Sequence, residues 1–127
     1  MQSQLKLVLK TENRLKQHSA FVGTYNQRQI FDCKFFRAYL GKPAQTEENE
    51  IKIGFVVSTK THKRAVKRNR LKRLMRENLR LILLNNIDAK NKLNNYMSLI
   101  LVGHTAGLDA TFDEIKEDIT NLLSRIP

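Results

Sequence analysis

The densest chemistry in the chain lies in the run Arg68-Asn69-Arg70-Leu71-Lys72-Arg73-Leu74-Met75-Arg76-Glu77. A guanidinium is a planar fork that donates two parallel hydrogen bonds to a phosphate, and helical spacing of 3 and 4 sets successive forks along one nucleic-acid backbone. An ordinary solvated helix face mixes signs for i, i+4 pairing. Here Lys60 to Arg80 holds ten Lys and Arg against Glu77 alone, a local charge of +9 (10 minus 1). The chemistry this predicts is recognition of RNA or DNA phosphates. Catalytic sets are poor by contrast: His18, His62 and His104 lie in three separate segments, without Ser, Cys or carboxylate at triad or metal-ligand spacing. Glu47, Glu48 and Glu50 read as solvated charge rather than a magnesium site, and Cys33 as a small apolar strand residue. Binding is expected, with no catalytic residue and no metal or other cofactor held by the protein alone.

The charge of the whole chain agrees. Its 23 Lys and Arg against 12 Asp and Glu give +11, and outside Lys60 to Arg80 the remaining 13 basic and 11 acidic residues leave only +2. A localised block suggests a site for a polyanion rather than general adhesion. The 127 residues, 41% of them hydrophobic, suit a single domain spanning 1–127. The longest apolar run, Met97 to Gly103, is far short of the roughly 20 residues that cross a bilayer. Lys6 interrupts an N-terminal stretch that lacks a cleavage site, and the single cysteine forms no intrachain disulfide, so a reducing cytoplasm is expected.

The elements that must position the basic run follow from periodicity. Thr11 to Asn26 reads as a helix with Leu15, Phe21, Val22 and Tyr25 on one edge. Cys33 to Leu40 reads as a strand whose Phe36, Ala38 and Leu40 face a core, with Phe35, Arg37 and Tyr39 opposite. The Gly- and Pro-containing segment 41–50 leads to a β-branched strand, Ile51 to Ser58, and the two strands are expected to form a hairpin with a long loop. Arg64 to Leu84 is helical, with Leu71, Leu74, Met75, Leu79 and Ile82 on one arc and Arg70, Arg73, Arg76 and Arg80 on the other. The Asn-rich stretch Asn85 to Asn95 is expected as a loop, Tyr96 to Val102 as a strand, and Thr111 and Glu114 as the capping box of a closing helix through Ile115, Ile119, Leu122 and Ile126. The class is α+β: a two-layer sandwich of helices on a small sheet, in the order α-β-β-α-β-α with room for one more short strand.

Aromatics supply a second binding signal, because unstacked bases lie on rings and guanidinium planes. Tyr39 favours contact, since its hydroxyl wants water or a polar partner; Phe35 fits a stacking surface and a core equally well.

With these residues in view, Ile53-Gly54-Phe55-Val56-Val57-Ser58 followed by Ala65-Val66-Lys67 and the Arg68 to Glu77 run resembles the signature of the bacterial ribonuclease P protein subunit. The likeness runs from Arg14-Leu15 through Phe21, Tyr25 and Tyr39 to the capped last helix. Three places depart from the family pattern: Gln27-Arg28-Gln29, the glycine-free Thr59 to Arg64, and Gly103-His104 where Ala-Arg or Ala-Lys is frequent. The resemblance implies a mixed central sheet with a left-handed crossover through the basic helix. It implies a catalytic RNA that uses magnesium, bound through Arg68, Asn69, Arg70, Lys72, Arg73 and Arg76. It also implies a cleft for the 5′ leader of precursor tRNA at Phe21, Tyr25 and Tyr39, with Lys34 beside them. The expected function is then that of the protein subunit of an endoribonuclease in tRNA 5′ maturation, with no membrane and no obligatory protein partner. The alternative is a ribosomal or other structured-RNA binding protein that lacks the cleft. A nuclease with its own protein active site is disfavoured by the absent carboxylate cluster.

Overall fold

The alternation around Tyr39 produces a strand with one dry face. In the computed structural model, which describes residues 29–59 and 61–127, Phe36, Ala38 and Leu40 are fully buried while Arg37 and Tyr39 are half-buried. This strand, β2 (Phe36–Leu40), pairs antiparallel with a short extra strand, β1 (Gln29–Asp32). It begins at Phe36 rather than at Cys33, because the Cys33 amide donates to the Phe36 carbonyl at 3.0 Å and closes a tight turn between β1 and β2. The helix expected over Thr11 to Asn26, with Phe21 and Tyr25, lies outside the described residues.

The expected hairpin of β2 with β3 (Lys52–Val56) does not form. The sheet order is β1-β2-β4-β3, with β4 (Ser98–Gly103) antiparallel to β2 and parallel to β3. The physical reason is burial: Leu99, Ile100 and Leu101 are all fully buried, and a strand dry on both faces takes an inner position. The polar segment after β2 instead lies along the start of β4. The Gly41 amide donates to the Ser98 carbonyl at 2.8 Å, Ala44 to Asn95 at 2.7 Å, and Met97 to Lys42 at 2.9 Å.

Parallel β3 and β4 need a crossover, and it runs through α1 (Ala65–Asn85) and α2 (Ile87–Leu93). The second helix occupies the stretch expected to be a loop. Its Asn86 side chain caps the Ala89 amide at 3.1 Å, and Ala89 and Leu93, at i and i+4, supply the buried edge. A turn of 3₁₀ helix, Thr105–Gly107, then leads to α3 (Phe112–Arg125), whose Thr111–Glu114 capping box forms as expected. Tyr96 precedes β4 rather than opening it, buried with its hydroxyl donating to the Pro127 carbonyl at 3.0 Å.

The two layers meet where Leu71, Leu74, Met75, Leu79 and Leu83 of α1 and Ile115, Ile119 and Leu122 of α3 cover Phe36, Ala38, Leu40, Ile53, Leu99 and Leu101. Leu83, four residues beyond Leu79, takes the deep position, and Ile82 is only half-buried. Each fully buried side chain of this kind contributes about 1.5–3 kcal/mol. That burial fixes which side of α1 faces water.

Candidate nucleic-acid interface

Helix α1 starts without a cap. Arg64 occupies the N-cap position in extended conformation, its side chain makes no capping bond, and the first turn holds no acid. The first amides of a helix lack internal partners and carry the positive end of its dipole. Lys63, Arg64, Lys67 and Arg68 therefore add cationic charge to an end that is already positive, an arrangement that disfavours folding and attracts anions.

Farther along α1, the core arc sets the direction of each predicted RNA-contact residue. Asn69, Arg73 and Arg80 are exposed, and Lys72 and Arg76 are half-buried. The Arg76 guanidinium carbon lies 5.7 Å from the centre of the Phe55 ring, which directs it along the β3 edge. Arg68 and Arg70 turn inward. Nη1 of Arg68 donates to the carbonyls of His62 at 2.8 Å and Lys63 at 2.7 Å, while Arg70 donates from Nη1 to Leu108 O at 2.9 Å and from Nη2 to Ala110 O at 2.8 Å. Lys67 Nζ sits 2.9 Å from Asp109 Oδ1 and holds that carboxyl below the usual carboxylate range. One helix thus carries all six residues, four toward solvent and two as braces.

The predicted leader-binding residues are more dispersed. Tyr39 lies on the sheet face opposite the α1 and α3 layer, in register between Ile30 of β1 and Ile100 of β4. Arg37 shares that face, its Nε 2.6 Å from Asp32 Oδ1, and its pKa is raised by the Tyr39 hydroxyl and then by Asp32. Phe35 does not share that face. It sits in the β1–β2 turn and packs in the core at 6% exposure, which settles its ambiguity toward packing. Lys34, in the same turn, extends its Nζ to 5.2 Å above the Phe35 ring and lines a crevice of about 320 Å³ with Glu114, Glu117, Asp118 and Arg125. It stands beside α3, whereas Tyr39 lies across the sheet; Phe21 and Tyr25 are outside the described residues.

Three residues with structural weight escaped the sequence reading. Asp118 is 8% exposed and accepts the Lys34 amide at 3.2 Å and the Phe35 amide at 2.8 Å, fastening the β1–β2 turn to α3. Arg125 grips the same turn through Asp32 O at 2.9 Å and Cys33 Sγ at 3.1 Å; burial, then Asp118, pushes the Cys33 thiol up to about 11. Asn78 is fully buried and donates to Leu74 O at 3.0 Å and Phe112 O at 3.2 Å, joining α1 to α3. The available signal was a polar residue inside an apolar arc: Asp118 beside Ile115, Ile119 and Leu122, and Asn78 between Leu71 and Leu79. Among the described residues no three His, Cys, Asp or Glu side chains converge as metal ligands, and no helix is long and apolar enough to cross a membrane.

Similarity to known proteins agrees with this geometry. The family model described as Ribonuclease P matches residues 9–127. The ribonuclease P protein component of Clostridioides difficile (strain 630) is 33% identical over 111 residues, covering 87% of this chain and 89% of that protein. That of Alkaliphilus oremlandii is 30% identical over 118 residues, covering 93% and 94%. In fold, the RNase P protein of Staphylococcus aureus superposes with a TM-score of 0.69 at 20% identity, over 90% of this chain and 96% of that one. The RNase P protein of Thermotoga maritima gives 0.68 at 21% identity, over 90% and 97%. These structures match the four-stranded mixed sheet with its helices, and with the sequence matches they give the conclusion: the chain belongs to the ribonuclease P family.

Proposed function

We propose that the chain is the protein subunit of a cytoplasmic ribonuclease P and acts in 5′ maturation of tRNA. In this reading the catalytic RNA binds across α1 at Arg68, Asn69, Arg70, Lys72, Arg73 and Arg76, and the single-stranded leader of precursor tRNA meets Phe21, Tyr25, Lys34 and Tyr39. Hydrolysis of the phosphodiester bond and the magnesium it uses belong to the RNA, and the protein contributes binding and placement. The observation that carries the reading is the start of α1: an uncapped, acid-free helix end at the head of a solvent-facing basic stripe, stable only at an electrostatic cost unless a polyanion covers it.

Reconstitution tests it. Purified protein mixed with the catalytic RNA of the same organism is expected to stimulate removal of the leader from precursor tRNA. It is also expected to copurify with one discrete RNA of that kind. Copurification with ribosomal RNA and no stimulation would support a different structured-RNA partner instead. For the leader, Tyr39→Ala is expected to weaken precursor binding by roughly 1–3 kcal/mol, the range for one lost base–aromatic stack, with little change for mature tRNA. Equal losses for both RNAs in a folded variant would remove Tyr39 from the leader site.

A further inference from the structure

We infer that Arg68 and Arg70 are positioning residues which brace the start of α1, and that direct phosphate contact on this face falls to the outward residues Asn69, Lys72, Arg73, Arg76 and Arg80. The inference rests on the reading that α1 binds RNA, and it assigns the Arg68-Asn69-Arg70 triplet a division of labour that its composition hides. The two arginines point away from the stripe they belong to. Arg68 holds the segment entering the helix through the carbonyls of His62 and Lys63; Arg70 holds the segment leaving β4 through those of Leu108 and Ala110, 38 and 40 residues away in sequence. Asn69, between them, is exposed.

Packing reinforces the second brace. Leu71 is fully buried against two glycines of that segment: a Cβ on Gly103 would lie 2.6 Å from Leu71 Cδ2, and one on Gly107 would lie 3.1 Å from Leu71 Cδ1. A side chain at Gly103 would force Leu71 to shift, and one at Gly107 would meet the Phe35 carbonyl at 2.9 Å, so the first turns of α1 and the stretch through Ala110 are closely packed, with Lys67 and Asp109 adding an exposed pair. A planar guanidinium spans two carbonyls at fixed separation, whereas a lysine ammonium is a point charge on a flexible stem. Swinging Arg70 out to a phosphate would leave the Leu108 and Ala110 carbonyls without that donor, an exchange with little net gain. Held in place, Arg70 fixes the direction of Arg73, one turn on, so that less ordering remains to be done when RNA binds.

The test compares Arg70→Ala, Arg70→Lys and Arg73→Ala. In the free protein, amide exchange at Gly107, Leu108, Ala110 and Ile115 is expected to speed by about tenfold or more in both Arg70 variants, and to stay unchanged in Arg73→Ala. Protection retained in β2 and β4 shows that the variants are folded; if Arg70→Ala does not fold, Arg70→Lys carries the same comparisons. With transcribed catalytic RNA, both Arg70 variants are expected to lose affinity to a similar extent and to keep the wild-type slope of log K against log salt. Arg73→Ala should flatten that slope by roughly 0.9, one phosphate contact. A purely structural defect would leave the cost of Arg73→Ala the same in either background. Positioning predicts that this cost shrinks in the Arg70→Lys protein. Rescue of affinity by Arg70→Lys, a slope flattened by Arg70→Ala, additive costs, or unchanged exchange would each overturn the inference. Failure of the wild-type protein to bind RNA would remove the functional reading, while the exchange data would still decide whether the brace exists.

Discussion

Helices α1 and α3 begin in opposite ways. At the start of α3, Thr111 Oγ1 accepts the Glu114 amide at 3.2 Å, Glu114 Oε1 accepts the Thr111 amide at 2.9 Å, and Asp113 and Glu114 place negative charge at the positive end of the dipole. At the start of α1 the N-cap is Arg64, whose side chain makes no capping bond; its own amide donates to His62 Nδ1 at 3.0 Å, and the first turn holds no acid. Both helices bury an apolar face in one core, so burial alone cannot account for the difference. One end is closed by a reciprocal pair of side-chain acceptors, and the other, in the reading proposed above, is left for acceptors from outside. The internally satisfied end should respond to loss of its own side chains, and the open end to what is in the buffer.

The largest effect is expected where α3 supplies acceptors to another element. Asp118→Ala would leave the part-buried Lys34 amide and the buried Phe35 amide without this acceptor, and stability should fall by about 3 kcal/mol, since each hydrogen bond to a charged group contributes roughly 1.5–3 kcal/mol. Asp118→Asn keeps one acceptor oxygen and should lose about half as much. Urea denaturation of the three proteins checks this; equal stability of Asp118→Ala and wild type would mean that water replaces the carboxylate.

Next comes the response of α1 to anions. Millimolar pyrophosphate should raise the melting temperature above that in chloride of matched ionic strength, because a ligand that binds only the folded state adds about 1.4 kcal/mol at tenfold its Kd. Removing Arg73 and Arg80 together should shrink that rise, whereas Thr111→Ala should leave it intact. An equal rise in both variants would locate the anion elsewhere.

These contrasts show what was legible in the sequence. The α1 and α3 arcs and the Thr111–Glu114 box could be read because each depends on residues within a few positions of one another. Periodicity could not give the strand order, since β4 separates β2 from β3 through burial on both faces, a property of the assembled sheet; only the family resemblance implied the parallel strands that flank α1. Helix α2 was hidden because Asn-rich composition suggests a loop, although Asn86 acts as its cap and Ala89 and Leu93 as its buried edge. The basic helix was evident, but the inward turn of Arg68 and Arg70 was not. Their acceptors are backbone carbonyls, which carry no sequence identity.

A smaller effect should follow from making α1 resemble α3. Arg64→Asp supplies an N-cap acceptor and a charge matched to the dipole, so the free protein should gain about 1 kcal/mol in denaturant titration. RNA affinity should fall in the same variant, because a cation becomes an anion at the mouth of the stripe. A gain in stability with unchanged affinity would separate the helix end from the binding surface.

The smallest effect is one of pH, and it belongs to α3. The Thr111 amide, and then the Thr111 hydroxyl, hold the Glu114 carboxyl below its ordinary value in the folded chain. A carboxyl depressed by folding contributes stability that is present above its unfolded pKa and is lost as pH falls through the folded one. Acidification through the carboxylate range should therefore weaken the capping box, and Glu114→Gln should flatten that part of the stability profile. Asp109, held low by Lys67, would titrate in the same direction. The comparison is therefore Glu114→Gln against Asp109→Asn rather than against wild type alone. Exchange at the Ile115 amide, which donates to the Thr111 carbonyl at 3.1 Å, gives the local readout. It should quicken on acidification in Asp109→Asn, beyond the intrinsic pH dependence of amide exchange, and lose that excess in Glu114→Gln. In Asp109→Asn, where the carboxylate that pairs with Lys67 in the first turn of α1 is gone, the first amides of α1 should show no such excess. An excess at both helix starts would mean that the pH response is global and that the contrast between the two ends does not extend to their titration.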